Sequence, residues 1–192
     1  MRPGLLLDRD GVINEECEYL RDPKELVMIP GVAETIAAIN RRRHPVVVVT
    51  NQSGIGRGMY GVDAYHAVNR AMAAMLAKDG AHIDAWYFCP HLPDADCTCR
   101  KPRPGMLLAA ARDFELDLAG SVLVGDKVSD LEAARAVGAR TLLVRTGYGR
   151  EVEAQLAAGQ HAHLADRVCD SLLAALPYLE RTLSTIPPAP ES

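Results

Sequence analysis

Two carboxylates one residue apart, Asp8 and Asp10, stand at the end of the apolar run Leu5-Leu6-Leu7 and are followed at once by Gly11. In an extended chain, residues two apart share a face, so Asp8 and Asp10 can converge on one small volume. Two like charges that close do not both ionise freely. One carboxyl should rise in pKa while the other stays charged, which makes a nucleophile beside an acid. Complementary groups close three other stretches: Thr50-Asn51-Gln52-Ser53 after four valines, Lys101 after Arg100, and Asp126 after Val122-Leu123-Val124-Gly125.

This set suits phosphoryl transfer. A carboxylate attacking a phosphate monoester meets repulsion, so the site must bring positive charge together with its nucleophile. Asp8 would attack phosphorus and form an aspartyl phosphate. Asp10 would protonate the departing alkoxide and then activate water. Lys101 would neutralise the phosphoryl oxygens, and the Thr50 hydroxyl would hydrogen-bond them. Mg2+ would take carboxylate or carbonyl oxygens from Asp8, Asp10 and Asp126. Lys127 either joins this site or is a solvated lysine, and Asp130 is read as the N-cap of a helix over 131–137 rather than as a metal ligand.

A second constellation is Cys89-Pro90-His91 followed by Cys97-Thr98-Cys99. Three thiolates and one imidazole are the ligand set of a closed, structural Zn2+ site with no position open for catalysis. Buried cysteines or a redox pair explain Cys-x-His and Cys-x-Cys at this separation less well. Zinc binding of this kind is worth about 10–16 kcal/mol in isolated peptides, enough to order a loop with little core of its own. Arg100 and Lys101 follow the last ligand, so the metal would aim two cations at the substrate while doing no chemistry itself.

The elements that must hold these groups alternate strand and helix. Pro45-Val46-Val47-Val48-Val49-Thr50 is a near-continuous β-branched run, the mark of a strand buried on both faces of a parallel sheet. Residues 83–88, 121–126 and 140–144 are predicted strands as well. Helices are predicted over 32–43, 62–79, 104–114, 130–137, 151–158 and 170–183, with a short segment near Arg167. Residues 11–30 have no sustained period and read as a flap over the site. The pattern predicts an α/β, Rossmann-like parallel sheet with helices on both faces, whose ligand sits outside the carboxyl ends of the strands. One domain should span 1–185, with a disordered Pro-rich tail over 186–192.

Composition narrows the partners. The chain has 192 residues, 48% hydrophobic and 24% charged, which is enough for one sizeable core. Its net charge of −4 carries no basic stripe, which disfavours nucleic acid or an anionic membrane as partner. No run is long enough to cross a membrane, and strand chemistry begins within five residues of the start, so a cytoplasmic protein is expected, as a monomer. The clustered cysteines fit metal ligation in a reducing compartment better than a disulfide framework.

Asp8-Arg9-Asp10-Gly11, Thr50-Asn51-Gln52-Ser53-Gly54, Lys101-Pro102 and Gly125-Asp126-x-x-x-Asp130 resemble, in order, the four motifs of the haloacid dehalogenase superfamily phosphatases. The resemblance implies Asp8 as nucleophile, Asp10 as acid and base, Thr50 and Lys101 as phosphate binders and Asp126 as a magnesium ligand. It extends the substrate contacts to Arg9, Glu16, Tyr19, Asn51, Gln52, Ser53 and Arg100. Superfamily members often carry a large cap domain after the first or third strand, but neither gap here is long enough for one. Among zinc-loop members, two substrate classes compete, both small phosphorylated molecules. The runs Thr50 to Gly58, Arg100 to Met106 and Thr146 to Gly149 lie closer to phosphatases that remove the 7-phosphate of a heptose 1,7-bisphosphate. Histidinol phosphate is the alternative. A catalytically silent, zinc-stabilised binding module is disfavoured, because nucleophile, acid, lysine and metal carboxylate are all present.

Overall fold

The structure is a computed structural model, and it describes residues 1–161 and 163–184. The tail expected over 186–192 lies outside the described residues. Six strands form one sheet: β1 (Leu5–Leu7), β2 (Val46–Asn51), β3 (Ala85–Cys89), β4 (Val122–Gly125), β5 (Arg140–Val144) and β6 (Arg167–Cys169). All pairings are parallel, in the order β3-β2-β1-β4-β5-β6. The helices are α1 (Val32–Arg41), α2 (Ser53–Gly56), α3 (Val62–Ala77), α4 (Gly105–Phe114), α5 (Val128–Arg135), α6 (Gly149–Ala157) and α7 (Leu172–Ser184).

The aliphatic runs become the central strands because both of their faces are covered. Leu5 and Leu7 pack with Val46, Val48, Val122 and Val124 under residues of α1, α3 and α7. Leu6 faces the other way, with Val47, Val49 and Leu123, against Met106, Leu107 and Ala110 of α4 and Ala133 and Ala134 of α5. Each such buried side chain contributes about 1.5–3 kcal/mol relative to exposure. Strand β1 lies between β2 and β4, with Leu7 level with Val48 and Val124. The chain winds outward through β2 and β3 on one side, then returns beside β1 to wind through β4, β5 and β6 on the other. The strand order therefore reverses between β1 and β4, and the crevice outside that pair is where doubly wound sheets bind ligands.

Three local readings are corrected. Helix α5 begins at Val128 directly after β4, so Asp130 lies inside its first turn rather than capping it from outside. A four-residue helix, α2, follows Gln52, where only a polar strand end was expected. The segment after β1 is a lid on its outer side only: Val12, Ile13, Asn14, Leu20 and Ile29 are buried, and the apolar ones join the core under α1. Among the described residues, the gaps 8–31 and 90–104 hold no helix beyond the single 3-10 turn Pro23–Glu25.

Candidate active site

Asp8 leaves β1 at the strand-order reversal, and Lys101 reaches it from the loop before α4. The Lys101 Nζ lies 2.9 Å from Asp8 Oδ1 and 2.6 Å from Asp130 Oδ1, and it donates to the Val49 carbonyl at 2.6 Å. Asn51, the last residue of β2, holds the Lys101 main chain from both sides: its Oδ1 accepts from the Lys101 N–H at 3.1 Å, and its Nδ2 donates to the Lys101 carbonyl at 3.0 Å. The lysine is thus fixed at backbone and tip, 3% exposed. Burial pushes the Asp8 carboxyl up, but the nearby charges of Lys101 and Lys127 outweigh it and hold the carboxyl below its ordinary value. An ionised carboxylate is the form a nucleophile needs.

Asp126 directly follows β4, between two glycine turns. Gly11 has φ +83° and Gly147 has φ +55°, and a Cβ at either would run into the Asp126 carboxylate. The Tyr148 N–H donates to Asp126 Oδ2 at 2.9 Å, and the Thr146 hydroxyl donates to the Gly11 carbonyl at 2.6 Å, which closes the loop after β5 over the one after β1. The other oxygen, Asp126 Oδ1, is buried without a hydrogen-bond partner. Burial, with the negative charges of Asp8 and Asp130, pushes the Asp126 carboxyl up to about 8.

One oxygen each from Asp8, Asp126 and Asp130 lies within 4.8 Å of the others. The like-charge conflict expected between Asp8 and Asp10 therefore falls among these three. Asp130 is the residue that sequence reasoning undervalued. Its Oδ2 accepts from the Lys127 N–H at 3.0 Å, which caps α5 from within, while its other oxygen meets Lys101. A cluster of hard oxygen donors in which Asp126 Oδ1 has no partner and Asp8 Oδ1 and Asp130 Oδ1 meet only the Lys101 ammonium fits a divalent cation such as magnesium.

Asp10 turns toward Arg9 and Gln52 instead. Its carboxylate accepts from Arg9, from Asn14 Nδ2 at 3.0 Å and from Gln52 Nε2 at 2.9 Å. Arg9, expected to contact substrate, has its guanidinium 1% exposed behind Asp10. There it also donates to Asn69 and Gln52 and lies 5.4 Å over the Tyr65 ring. Thr50 is buried beside the acid, its Oγ1 accepting from Gln52 Nε2 at 3.0 Å.

A cleft of about 200 Å³ opens over these groups, lined by Asp10, Glu16, Tyr19, Asn51, Gln52 and Ser53 among others. Lys127 also lines it, so of its two readings the structure places it at the site. Its Nζ pairs with Glu16 at 2.9 Å and sits 4.6 Å over the Tyr148 ring. Tyr60 is the lining residue that sequence reasoning missed altogether.

Beside the cleft, Cys89, His91, Cys97 and Cys99 each offer a ligand atom within 4.8 Å of the rest. The Cys89 and Cys97 sulfurs are 3.7 Å apart, and His91 Nδ1 lies 3.4 Å from Cys89 Sγ and 3.2 Å from Cys99 Sγ. A tetrahedral ion with zinc's bond lengths implies sulfur to sulfur edges of about 3.7 Å and nitrogen to sulfur edges of about 3.5 Å. The donor set and its spacing therefore fit zinc. Arg100 leaves this loop with Nη1 3.5 Å from the His91 carbonyl.

Known proteins resemble this chain in sequence and fold. A family profile described as HAD-hydrolase-like matches residues 98–175. The D-glycero-beta-D-manno-heptose-1,7-bisphosphate 7-phosphatase of Bordetella bronchiseptica is 40% identical over 176 residues, 91% of this chain and 96% of that protein. The chain belongs to the haloacid dehalogenase-like phosphatases. The crystal structure of the D,D-heptose 1,7-bisphosphate phosphatase from B. bronchiseptica, complexed with magnesium and phosphate, superposes on this phosphatase with a TM-score of 0.85, covering 93% of this chain and 98% of that one. The D-glycero-alpha-D-manno-heptose-1,7-bisphosphate 7-phosphatase of Burkholderia mallei is 43% identical over 148 residues, 73% of this chain and 78% of the relative. This phosphatase is thus a phosphoric monoester hydrolase, and none of its described helices is long and apolar enough to cross a membrane.

Proposed function

We propose that this phosphatase removes the 7-phosphate of a D-glycero-D-manno-heptose 1,7-bisphosphate through an aspartyl phosphate on Asp8. The observation that carries the reading is the buried Asp8–Lys101 pair at 2.9 Å beneath a polar cleft, in a chain whose relatives bear that activity in their names. Asp8 Oδ would attack phosphorus, and Lys101 and the Thr50 hydroxyl would take up charge on the phosphoryl oxygens. Asp10 would give a proton to the leaving alkoxide of the sugar and later take one from the attacking water. Asp8, Asp126 and Asp130 would hold the magnesium ion, which when bound supplies positive charge for the phosphoryl group. Asp10 would join them through its main-chain carbonyl, since its carboxylate is committed to Arg9, Asn14 and Gln52. Cys89, His91, Cys97 and Cys99 would hold zinc in a structural role.

Two features favour a second phosphate over the cationic imidazole of histidinol phosphate. Of Glu15, Glu16, Glu18 and Tyr19, which could greet an imidazolium, Glu16 is already paired with Lys127. Arg100 stands next to Lys101 and lines a second hollow of about 280 Å³, in which Arg103 is already paired with Asp96 at 2.8 Å. Arg9, Glu16, Tyr19, Asn51, Gln52 and Ser53 would shape the cleft around the sugar, Arg9 from behind Asp10. The test is the ratio of kcat/KM for the heptose bisphosphate and for histidinol phosphate in one buffer. The bisphosphate should be preferred by about 10²-fold or more, the worth of one well-placed charged contact. A ratio favouring histidinol phosphate overturns the assignment.

A further inference from the structure

Tyr60 lies between α2 and α3 and has no place in the chemistry described so far. Its hydroxyl donates to Gln52 Oε1 at 2.6 Å. The same oxygen accepts from Arg9 Nη2 at 3.2 Å, while the other end of the amide, Nε2, donates to Asp10 Oδ2 at 2.9 Å and to Thr50 Oγ1 at 3.0 Å. The amide therefore has one orientation that satisfies all four partners. Turned over, its oxygen would face the Asp10 carboxylate and its N–H groups would face the Arg9 guanidinium, so two attractive contacts would become repulsive. Arg9 is pinned by Asp10 and Asn69, which leaves Tyr60 as the donor that completes the set from the cleft side. Burial pushes the Tyr60 hydroxyl up to about 12, so it keeps its proton at any working pH.

We propose that Tyr60 is a positioning residue for the acid step: through the amide of Gln52 it fixes where the Asp10 carboxylate stands relative to the leaving oxygen. The inference rests on the reading of Asp10 as general acid. It predicts a dependence on the leaving group that a merely structural tyrosine would not produce. An alkoxide leaves only with a proton, whereas p-nitrophenolate is a weak base and leaves without one, and kcat/KM reports the steps up to the first departure. Any disturbance of Thr50 would weaken phosphate binding for both esters alike, so the ratio of the two reads Asp10 alone.

The experiment measures kcat/KM of the whole chain, with magnesium present, for β-glycerophosphate and for p-nitrophenyl phosphate. The Asp10→Asn variant should lose about 10²-fold or more on the alkyl ester and far less on the aryl ester. Tyr60→Phe should lose about tenfold on the alkyl ester and less than about twofold on the aryl ester, a contact worth roughly one hydrogen bond. Gln52→Leu should show the same selectivity, and adding Tyr60→Phe to it should cost nothing further, because both act through one amide. If Asp10→Asn discriminates between the esters and Tyr60→Phe does not, Tyr60 has no part in the acid step. If Asp10→Asn itself fails to discriminate, the acid reading of Asp10 falls first and takes the role of Tyr60 with it.

Discussion

The oxygen cluster of Asp8, Asp126 and Asp130 and the sulfur cluster of Cys89, His91, Cys97 and Cys99 are two candidate metal centres built on opposite principles. The oxygen donors come from two distant stretches of the chain, Asp8 in one and Asp126 with Asp130 in the other, and the sheet brings the stretches together: β1 and β4 are neighbours, and their buried valines and leucines fix the depth at which Asp8 and Asp126 emerge. The sulfur donors are close in sequence, on the end of edge strand β3 and a loop, with Cys97 and Cys99 only partly buried. One site is placed by the core, while the other, on the proposed zinc reading, would be placed by its metal. Lys101 is where they meet, two residues beyond the last sulfur ligand yet held by Asn51 and Asp130 of the core.

The largest effect should come from the oxygen side. Asp8→Asn is nearly isosteric and keeps the strand contacts, so turnover should fall on the order of 10³-fold or more with little change in melting temperature. Residual activity within tenfold of wild type would remove Asp8 as nucleophile. The two centres should also separate by metal. Brief EDTA treatment should stop turnover, and magnesium alone should restore it, because an oxygen site that keeps water exchanges its ion while a closed thiolate site does not. Elemental analysis should find about one zinc per chain before and after. If recovery requires zinc, the two sites are not independent.

A smaller loss is expected from the sulfur side. Cys97→Ser should release zinc and disorder the loop, but the Asn51 clamp and the ion pairs of Lys101 do not pass through the metal. Arg100, anchored to the His91 carbonyl, should suffer more than Lys101. Activity on the bisphosphate should therefore drop about tenfold, mostly in KM, since the interaction lost is one made in ground and transition state alike. A kcat loss as deep as that of Asp8→Asn would mean that zinc holds the lysine too, and the contrast between the centres would collapse.

How much of this was legible in the sequence follows the same division. Unbroken aliphatic runs ending in polar residues located β1, β2 and β4, and with them the meeting of Asp8 and Asp126, because strand ends in a parallel sheet share an edge. The sulfur ligands could be read from spacing alone. Asp130 was harder: α5 starts so soon after β4 that the third residue of the helix turns back under Gly125 into the cluster, and a boundary shift of two residues decides this. The pairing of Glu16 with Lys127 joins residues 111 apart through loops, and Tyr60 reaches Gln52 around a helix of four residues. No hydrophobic period reports such contacts, which exist only after the core has set the loops.

The smallest effect tests whether the first two are local. Asp166 is another carboxylate in a network, but a largely exposed one away from both centres: it accepts from the Thr141 N–H at 2.8 Å and the Thr141 hydroxyl at 3.2 Å and pairs with Arg135 at 2.5 Å. Burial pushes its carboxyl up, but the Thr141 N–H and the Arg135 charge outweigh this and hold it below the ordinary value. A carboxyl depressed in the folded state contributes stability that is present above its unfolded pKa and lost as pH falls through the folded one. Asp166→Asn should therefore cost about 1 kcal/mol at neutral pH, as for a partly exposed hydrogen-bonded charge. The difference from wild type should begin to shrink as pH drops below about 4, near the ordinary aspartate value, and vanish only below the lower folded-state pKa. Zinc content and kcat/KM should stay as in wild type, because neither cluster touches this network. Denaturant melts at pH 7 and pH 3, with a kinetic assay on the same samples, check all three. A loss of activity larger than the loss of stability would show that the oxygen cluster depends on the far edge of the sheet and that the effect of Asp8→Asn cannot be assigned to the attacking group alone.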